Sequence, residues 1–273
     1  LADGDTTLTV SLGENKVGVP VHVEKAGENA DLSFRLDVLP VFMRNGCNAG
    51  ACHGAARGKD GFRLSLFGFD PASDYQRLTR ELPGRRINLA LPAESLLLTK
   101  ATNSAPHGGG AKFTKESESY AILHRWLTAG AKDDSSAVPA CIGVELYPPE
   151  AVLDGPDATQ QLTVRAKFAD GTDRDVTSMA VFLSNNDNSA KVSPDGLVTA
   201  GARGESFVMA RYETHTVGSH FITLPKGLSF AWANPPAANT IDELVNVKLR
   251  KLRINPSPLC SDEEFLRRAS IDI

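Results

Sequence analysis

The feature that most constrains this chain is one short run, Cys47-Asn48-Ala49-Gly50-Ala51-Cys52-His53-Gly54. Two thiols stand four residues apart in the gap, and an imidazole follows at once. The common signal for covalent haem attachment is C-x-x-C-H; here the gap is longer by two. In that chemistry each thiol adds to one vinyl group, and the two thioethers fix the macrocycle against the backbone. The adjacent histidine then lies beneath the porphyrin face and takes the proximal iron position. Three other readings of the same residues stay open. Cys47 and Cys52 could form a disulfide in a secreted domain, ligate zinc with distant histidines, or be two ordinary buried thiols. Zinc accounts poorly for His53, because consecutive side chains leave the backbone in different directions.

The rest of the chain sets limits on that motif. Its 273 residues are too many for one small core and imply two or three domains. No run of eighteen apolar residues is present to span a bilayer. Leu1 opens into polar, strand-like sequence with no signal peptide, so the chain reads as a piece of a longer protein. Cys141 and Cys260 read as lone thiols. The net charge of −4 hides an asymmetry. Residues 32–132 hold fourteen Lys/Arg against eight Asp/Glu, and residues 133–228 hold seven against thirteen. This imbalance is too mild to argue for nucleic acid, and no nucleic-acid partner is expected.

Element signals divide the chain into four parts. Residues 1–30 alternate polar and apolar over Thr6–Leu12 and Val17–Val23, two strands around a turn at Gly13-Glu14-Asn15. Residues 31–132 predict short helices: Phe34–Leu39, capped by Asp31 or Ser33, then Asp74–Leu82, Ala93–Lys100 and Ser117–Ala129, the last closed by Gly130. Phe62–Phe67 alternates and is expected to be extended. Residues 141–227 carry many short strands with Asp170-Gly171 and Pro194-Asp195-Gly196 as turns, the pattern of a β-sandwich. Residues 235–273 begin with Pro235-Pro236 and hold two capping-box signatures, at Thr240 and Ser261, each opening a helix.

The order of elements over 31–132 resembles class I cytochrome c. The stretches Gly46–Gly54, Gly61–Asp70 and Pro106–Gly110 look like the cytochrome c domains of large secreted planctomycete proteins. In those chains such a domain is joined to a bacterial Ig-like domain and further regions. Phe168–Thr172, Asp175–Thr177 and Ser193–Val198 resemble the group 2 Ig-like domain, a spacer or adhesion module, and 235–273 resembles the start of the domain that follows it. The resemblance implies a multidomain α and β chain. It would hold a β-strand remnant of an upstream Ig-like domain (1–30), a small all-α class I-like monohaem domain (31–132), an all-β Ig-like sandwich (141–227) and a helical start of a truncated downstream domain (235–273).

One haem c per chain is implied, covalent through Cys47 and Cys52, with His53 as proximal iron ligand. In class I cytochromes a loop before the last helix brings the sixth ligand, usually methionine. Here no methionine lies between the motif and that helix, and His107, followed by Gly108-Gly109-Gly110, stands in its place. His107 is therefore the expected distal ligand, with His124 as the alternative. Arg85, Arg86 and Lys112 could pair with the propionates. The expected role is electron transfer, not catalysis, with a redox protein as partner and a periplasmic or extracellular, cell-surface location. Two alternatives stand beside it: a haem enzyme or redox sensor with a labile distal ligand, and a non-haem adhesion or scaffold module. His22, His215 and His220 lie in strand patterns and read as structural or surface residues.

Overall fold

The computed structural model describes residues 2–27, 31–134 and 137–272. Along the chain run β1 (Gly4–Leu12), β2 (Asn15–Val23), α1 (Leu39–Arg44), α2 (Pro71–Thr79), α3 (Leu96–Ala101) and α4 (Glu118–Thr128). Ten strands follow: β3 (Cys141–Tyr147), β4 (Glu150–Asp154), β5 (Thr159–Gln161), β6 (Thr163–Phe168), β7 (Asp173–Asp175), β8 (Val181–Ser184), β9 (Ala190–Val192), β10 (Leu197–Ala200), β11 (Gly204–Tyr212) and β12 (His215–Leu224). Helices α5 (Thr240–Lys251) and α6 (Asp262–Asp272) come last. Two units emerge, one of Leu1–Leu39 with Leu78–Val138, the other of Pro40–Arg77 with Pro139–Ile273.

In the first unit, β1 and β2 pair antiparallel from Gly4↔Val23 to Leu12↔Asn15. The turn is Gly13-Glu14, with Gly13 at φ 59°. Both strands are almost wholly exposed, as expected of a two-stranded ribbon without a third layer. The helical part of this unit starts at Ser33. Its Oγ accepts from Leu36 N at 2.9 Å, and its own N–H donates to Asp37 Oδ2 at 2.8 Å. This reciprocal cap satisfies two donors at a helix start and opens a π-helical turn over Phe34–Val38. Phe34 and Trp126 are buried with ring centroids 5.4 Å apart. Trp126 Nε1 donates to Lys132 O at 3.0 Å, so its one polar atom is satisfied inside the core. Val38, Leu98, Leu123 and Leu127 complete the buried set. Helix α4 is capped by Ser117, whose Oγ accepts from Tyr120 N at 3.2 Å.

In the second unit, Pro139–Leu224 is β apart from one 3-10 turn at Thr177–Met179. A four-stranded sheet runs β4-β12-β11-β8, and three-stranded sheets run β3-β6-β7 and β5-β10-β9. Neighbours are antiparallel except β4 and β12, which pair parallel from Glu150↔His220 to Asp154↔Leu224. Strand β6 alternates exposed and buried residues, so Val164, Ala166 and Phe168 face inward. Val208, Ala210 and Phe221 bring the inner face of the larger sheet. Helix α5 is capped by Asn239, whose Oδ1 accepts from Ile241 N and Asp242 N, one residue earlier than the expected Thr240.

The expectation of an all-α class I-like cytochrome c domain is corrected here. The chain is 26% helix and 28% strand, and among the described residues no cytochrome-like all-α domain is present. The α-helices between 31 and 132 have six, nine, six and eleven residues. The segment is also shared between the two units. The reason is visible in the breakers. Six glycines fall between Arg44 and Pro71, Pro83-Gly84 and Pro92 interrupt the next span, and Pro106 with Gly108–Gly110 the one after. Glycine and proline each cost a helix interior too much for long helices to propagate across them. Only the β part of the expected fold class is met, by the strands between 141 and 224. The expected extended run Phe62–Phe67 also differs: Leu66–Gly68 is a 3-10 turn, with Phe67 at φ 55°.

Candidate functional site

The cysteine loop grows out of the end of α1. Gly46 adopts φ 68°, its N–H donates to Met43 O at 3.0 Å, and Cys47 N donates to Phe42 O at 2.8 Å. This paired pattern is a Schellman termination, and it places Cys47 directly after the helix stop. The chain then folds back on itself. Cys52 N donates to Ala49 O at 2.9 Å, His53 N to Cys47 O at 2.9 Å, and Gly54 N to Ala49 O at 3.1 Å. The last two bonds close the six-residue span between the cysteines. Gly54 must be glycine here, because a Cβ would lie 2.0 Å from Asn48 O. Leu64 N donates to His53 O at 2.8 Å and Phe67 N to Asn48 O at 3.3 Å, so a second stretch of chain braces the loop. Cys47, Cys52 and His53 are half-buried, and all four cysteines are thiols.

The two candidate iron ligands share one arrangement. His53 Nδ1 lies 3.0 Å from Phe62 O, and its ring packs 4.7 Å from the Phe62 ring centroid. A carbonyl oxygen only accepts, so Nδ1 carries a proton, and in the neutral ring the lone pair is then on Nε2. That is the tautomer a metal-ligating histidine needs, and the carbonyl also fixes the ring. His107 lies in the first unit and repeats the pattern: Nδ1 donates to Gly110 O at 2.8 Å, and Gly110 N donates to His107 O at 2.9 Å. Its Cε1 would stand 3.0 Å from a Cβ at Gly109, so a larger residue there would press on the ring.

None of the other four histidines shows this pattern. His22 meets Asp5 Oδ1 at 2.5 Å and Glu24 Oε1 at 3.0 Å, and these carboxylates, Glu24 first, raise its pKa. His124 stacks on Tyr120, His215 donates through Nε2 to Cys141 O at 3.1 Å, and His220 Nε2 meets Glu205 Oε2 at 2.8 Å.

The residues present fit a covalent haem. Two thiols sit at the ends of one closed loop, and an imidazole held through Nδ1 by Phe62 O directly follows the second. Among the described residues no cluster of three or more His, Cys, Asp or Glu side chains is placed to hold a metal ion by itself. Arg86, a candidate propionate partner, is buried and bonded to Glu81 Oε2 at 2.9 Å.

Sequence reasoning missed Asn48 and Asp74. Asn48 is fully buried within the loop, and neither its Nδ2 nor its Oδ1 has a hydrogen-bond partner. A buried polar group without a partner carries its desolvation cost with nothing to offset it, and an apolar side chain of similar size removes that cost. Asn48→Leu is therefore expected to stabilise the thiol form by about 1 kcal/mol, measured by urea unfolding; a loss of stability would show that the amide is bonded. Asp74, buried on α2, accepts from Ser65 N and Ser65 Oγ, both at 2.5 Å. It anchors the brace that holds the loop. The signal for it, one acidic residue in the first turn of a short helix, is too common to single out.

No helix among the described residues is long and apolar enough to cross a membrane. No family model and no curated protein matches the chain. Among solved structures, a match is the structure of surface layer protein SbsC, domains 1-6, at 16% identity and TM-score 0.28. It covers 37% of this chain, which spans 14% of that one, and a likeness of that degree bears on neither fold nor role.

Proposed function

We propose that this chain is a c-type haem protein of the periplasm or cell surface that transfers electrons to or from a redox partner protein. The carrying observation is the closed loop in which His53 N bonds Cys47 O while His53 Nδ1 bonds Phe62 O. Cys47 and Cys52 would hold one haem through thioethers and His53 would ligate iron through Nε2, while His107 is proposed as the other iron ligand on the sequence resemblance alone. Bound haem supplies one-electron chemistry at iron, at a potential set by its axial ligands and burial. The chain's own part is to fix the two imidazoles. Phe62 O and Gly110 O each accept from Nδ1, which fixes the two rings in orientation. Two imidazoles stabilise the ferric form more than imidazole plus thioether does, so a low potential is expected.

His107 decides between an electron carrier and a haem site open to small ligands. His107→Ala in the haem-loaded protein is expected to convert a low-spin absorption spectrum to a high-spin one and to allow fast carbon monoxide binding. Absorption spectroscopy with and without carbon monoxide checks this. An unchanged low-spin spectrum would remove His107 from the iron and point to His124. Fast carbon monoxide binding by the unmodified protein would favour a sensor or enzyme.

A further inference from the structure

We infer that the β-sheet region positions the haem-attachment loop, with Arg211 as the positioning residue. This rests on the haem reading for its functional meaning but not for its structural test. Three observations within the second unit carry it. Pro40–Arg77, which holds the cysteine loop, groups with the β region and not with the helices of the first unit. The Arg211 guanidinium, on β11, lies 4.2 Å from the Phe67 ring centroid, within the range of a cation–π contact. Arg44, the last residue of α1, pairs through Nη2 with Asp195 Oδ1 at 2.5 Å, in the turn between β9 and β10.

Both contacts lead straight to the loop. Phe67 N donates to Asn48 O, between the two cysteines in sequence. Phe67 adopts φ 55°, a conformation that a bulky side chain takes only when its surroundings hold it there. Arg211 supplies that hold from above the ring, and its own Nε is oriented by Thr216 Oγ1 at 3.1 Å. Arg44 stands three residues before Cys47 and fixes the helix end from which the loop departs. The β region thus grips both ends of the loop's support, one through a ring and one through an ion pair. A spacer would need neither contact.

The test is amide hydrogen exchange on the full chain in its thiol form, comparing Arg211→Leu and Arg211→Lys with Arg165→Leu. Arg165, on β6, pairs with Asp173 on β7 of the same β region and serves as the control. Arg211→Leu is expected to speed exchange at Phe67, Leu64 and His53 by roughly two- to fivefold, with global unfolding unchanged. Arg211→Lys, which keeps a cation over the ring, should recover part of the protection, and Arg165→Leu should leave these amides as they were. Adding Arg44→Ala to Arg211→Leu should raise the effect to about tenfold. On haem-loaded protein, Arg211→Leu should also shift the midpoint potential, and Arg165→Leu should not. Equal exchange in Arg211→Leu and the parent chain would overturn the inference. So would faster exchange spread evenly over the whole unit, since that reports lost stability and not lost positioning. Loop exchange that responds in a chain that never takes up haem would uphold the positioning while defeating the haem reading.

Discussion

Asp74→Ala is expected to cost about 2–4 kcal/mol of stability, among the largest effects of any single change outside the apolar core. The carboxylate is fully buried and takes both the N–H and the O–H of Ser65, itself only 4% exposed. Removing it strands two buried donors at once. Asp74→Asn keeps one acceptor oxygen and should cost about half as much. The pH dependence separates this account from simple packing. Burial, the largest influence, raises the Asp74 pKa above its ordinary 3.8, against the pull of the Ser65 bonds and of Arg77. A raised folded-state value means that the native chain holds the proton more tightly than the unfolded chain. Its contribution is therefore fully present below about 3.8 and is lost as pH rises through the raised value. Asp74→Asn should abolish that component. Urea unfolding followed from acid to neutral pH measures both effects; equal slopes in the two proteins would contradict the burial argument.

His53→Ala is expected to remove the proximal ligand while leaving both thiols in place. When the chain is produced with cytochrome c maturation machinery, stable haem content should fall at least tenfold, because a ligating side chain and its oriented second shell are both lost. Cys47→Ser with Cys52→Ser should leave no haem that survives acid–acetone treatment. The single serine variants should each retain one thioether and an absorption band displaced by the remaining vinyl group. Pyridine haemochrome spectra read all of these outcomes. Full haem content in His53→Ala would mean that His53 is a loop-packing histidine on Phe62 and nothing more.

Much of the local structure was legible because it is encoded locally. The Gly13 turn, the Ser33 cap and the Asp170-Gly171 and Asp195-Gly196 turns each follow from a few adjacent residues, and each appears. The alternating run Gln161–Phe168 becomes a strand over Thr163–Phe168, β6. Assembly over 31–132 was not legible as an all-α domain. The order of helix signals matched a familiar pattern, but the glycines and prolines between them keep each helix short, and the interactions that organise the segment are long-range. Asp74 reaching Ser65, Asp195 reaching Arg44 and Arg211 reaching Phe67 leave no periodic trace. The parallel pairing of β4 with β12, across some seventy residues, is hidden for the same reason.

The candidate site was legible as a residue pattern, not as geometry. Cys47, Cys52 and His53 announce themselves by spacing. That His53 and His107 both bond a backbone carbonyl through Nδ1 depends on Phe62 and Gly110, whose carbonyls any residue could supply.

The most direct test of the central claim is one absorption experiment. The chain is coproduced with cytochrome c maturation machinery, and spectra are taken oxidised and reduced, before and after acid–acetone extraction. A low-spin haem spectrum without a methionine-to-iron charge-transfer band is expected, with haem that stays with the protein after extraction. A colourless protein, or one that gives up all its haem to the solvent, would contradict it and leave Cys47 and Cys52 as a thiol pair in a scaffold.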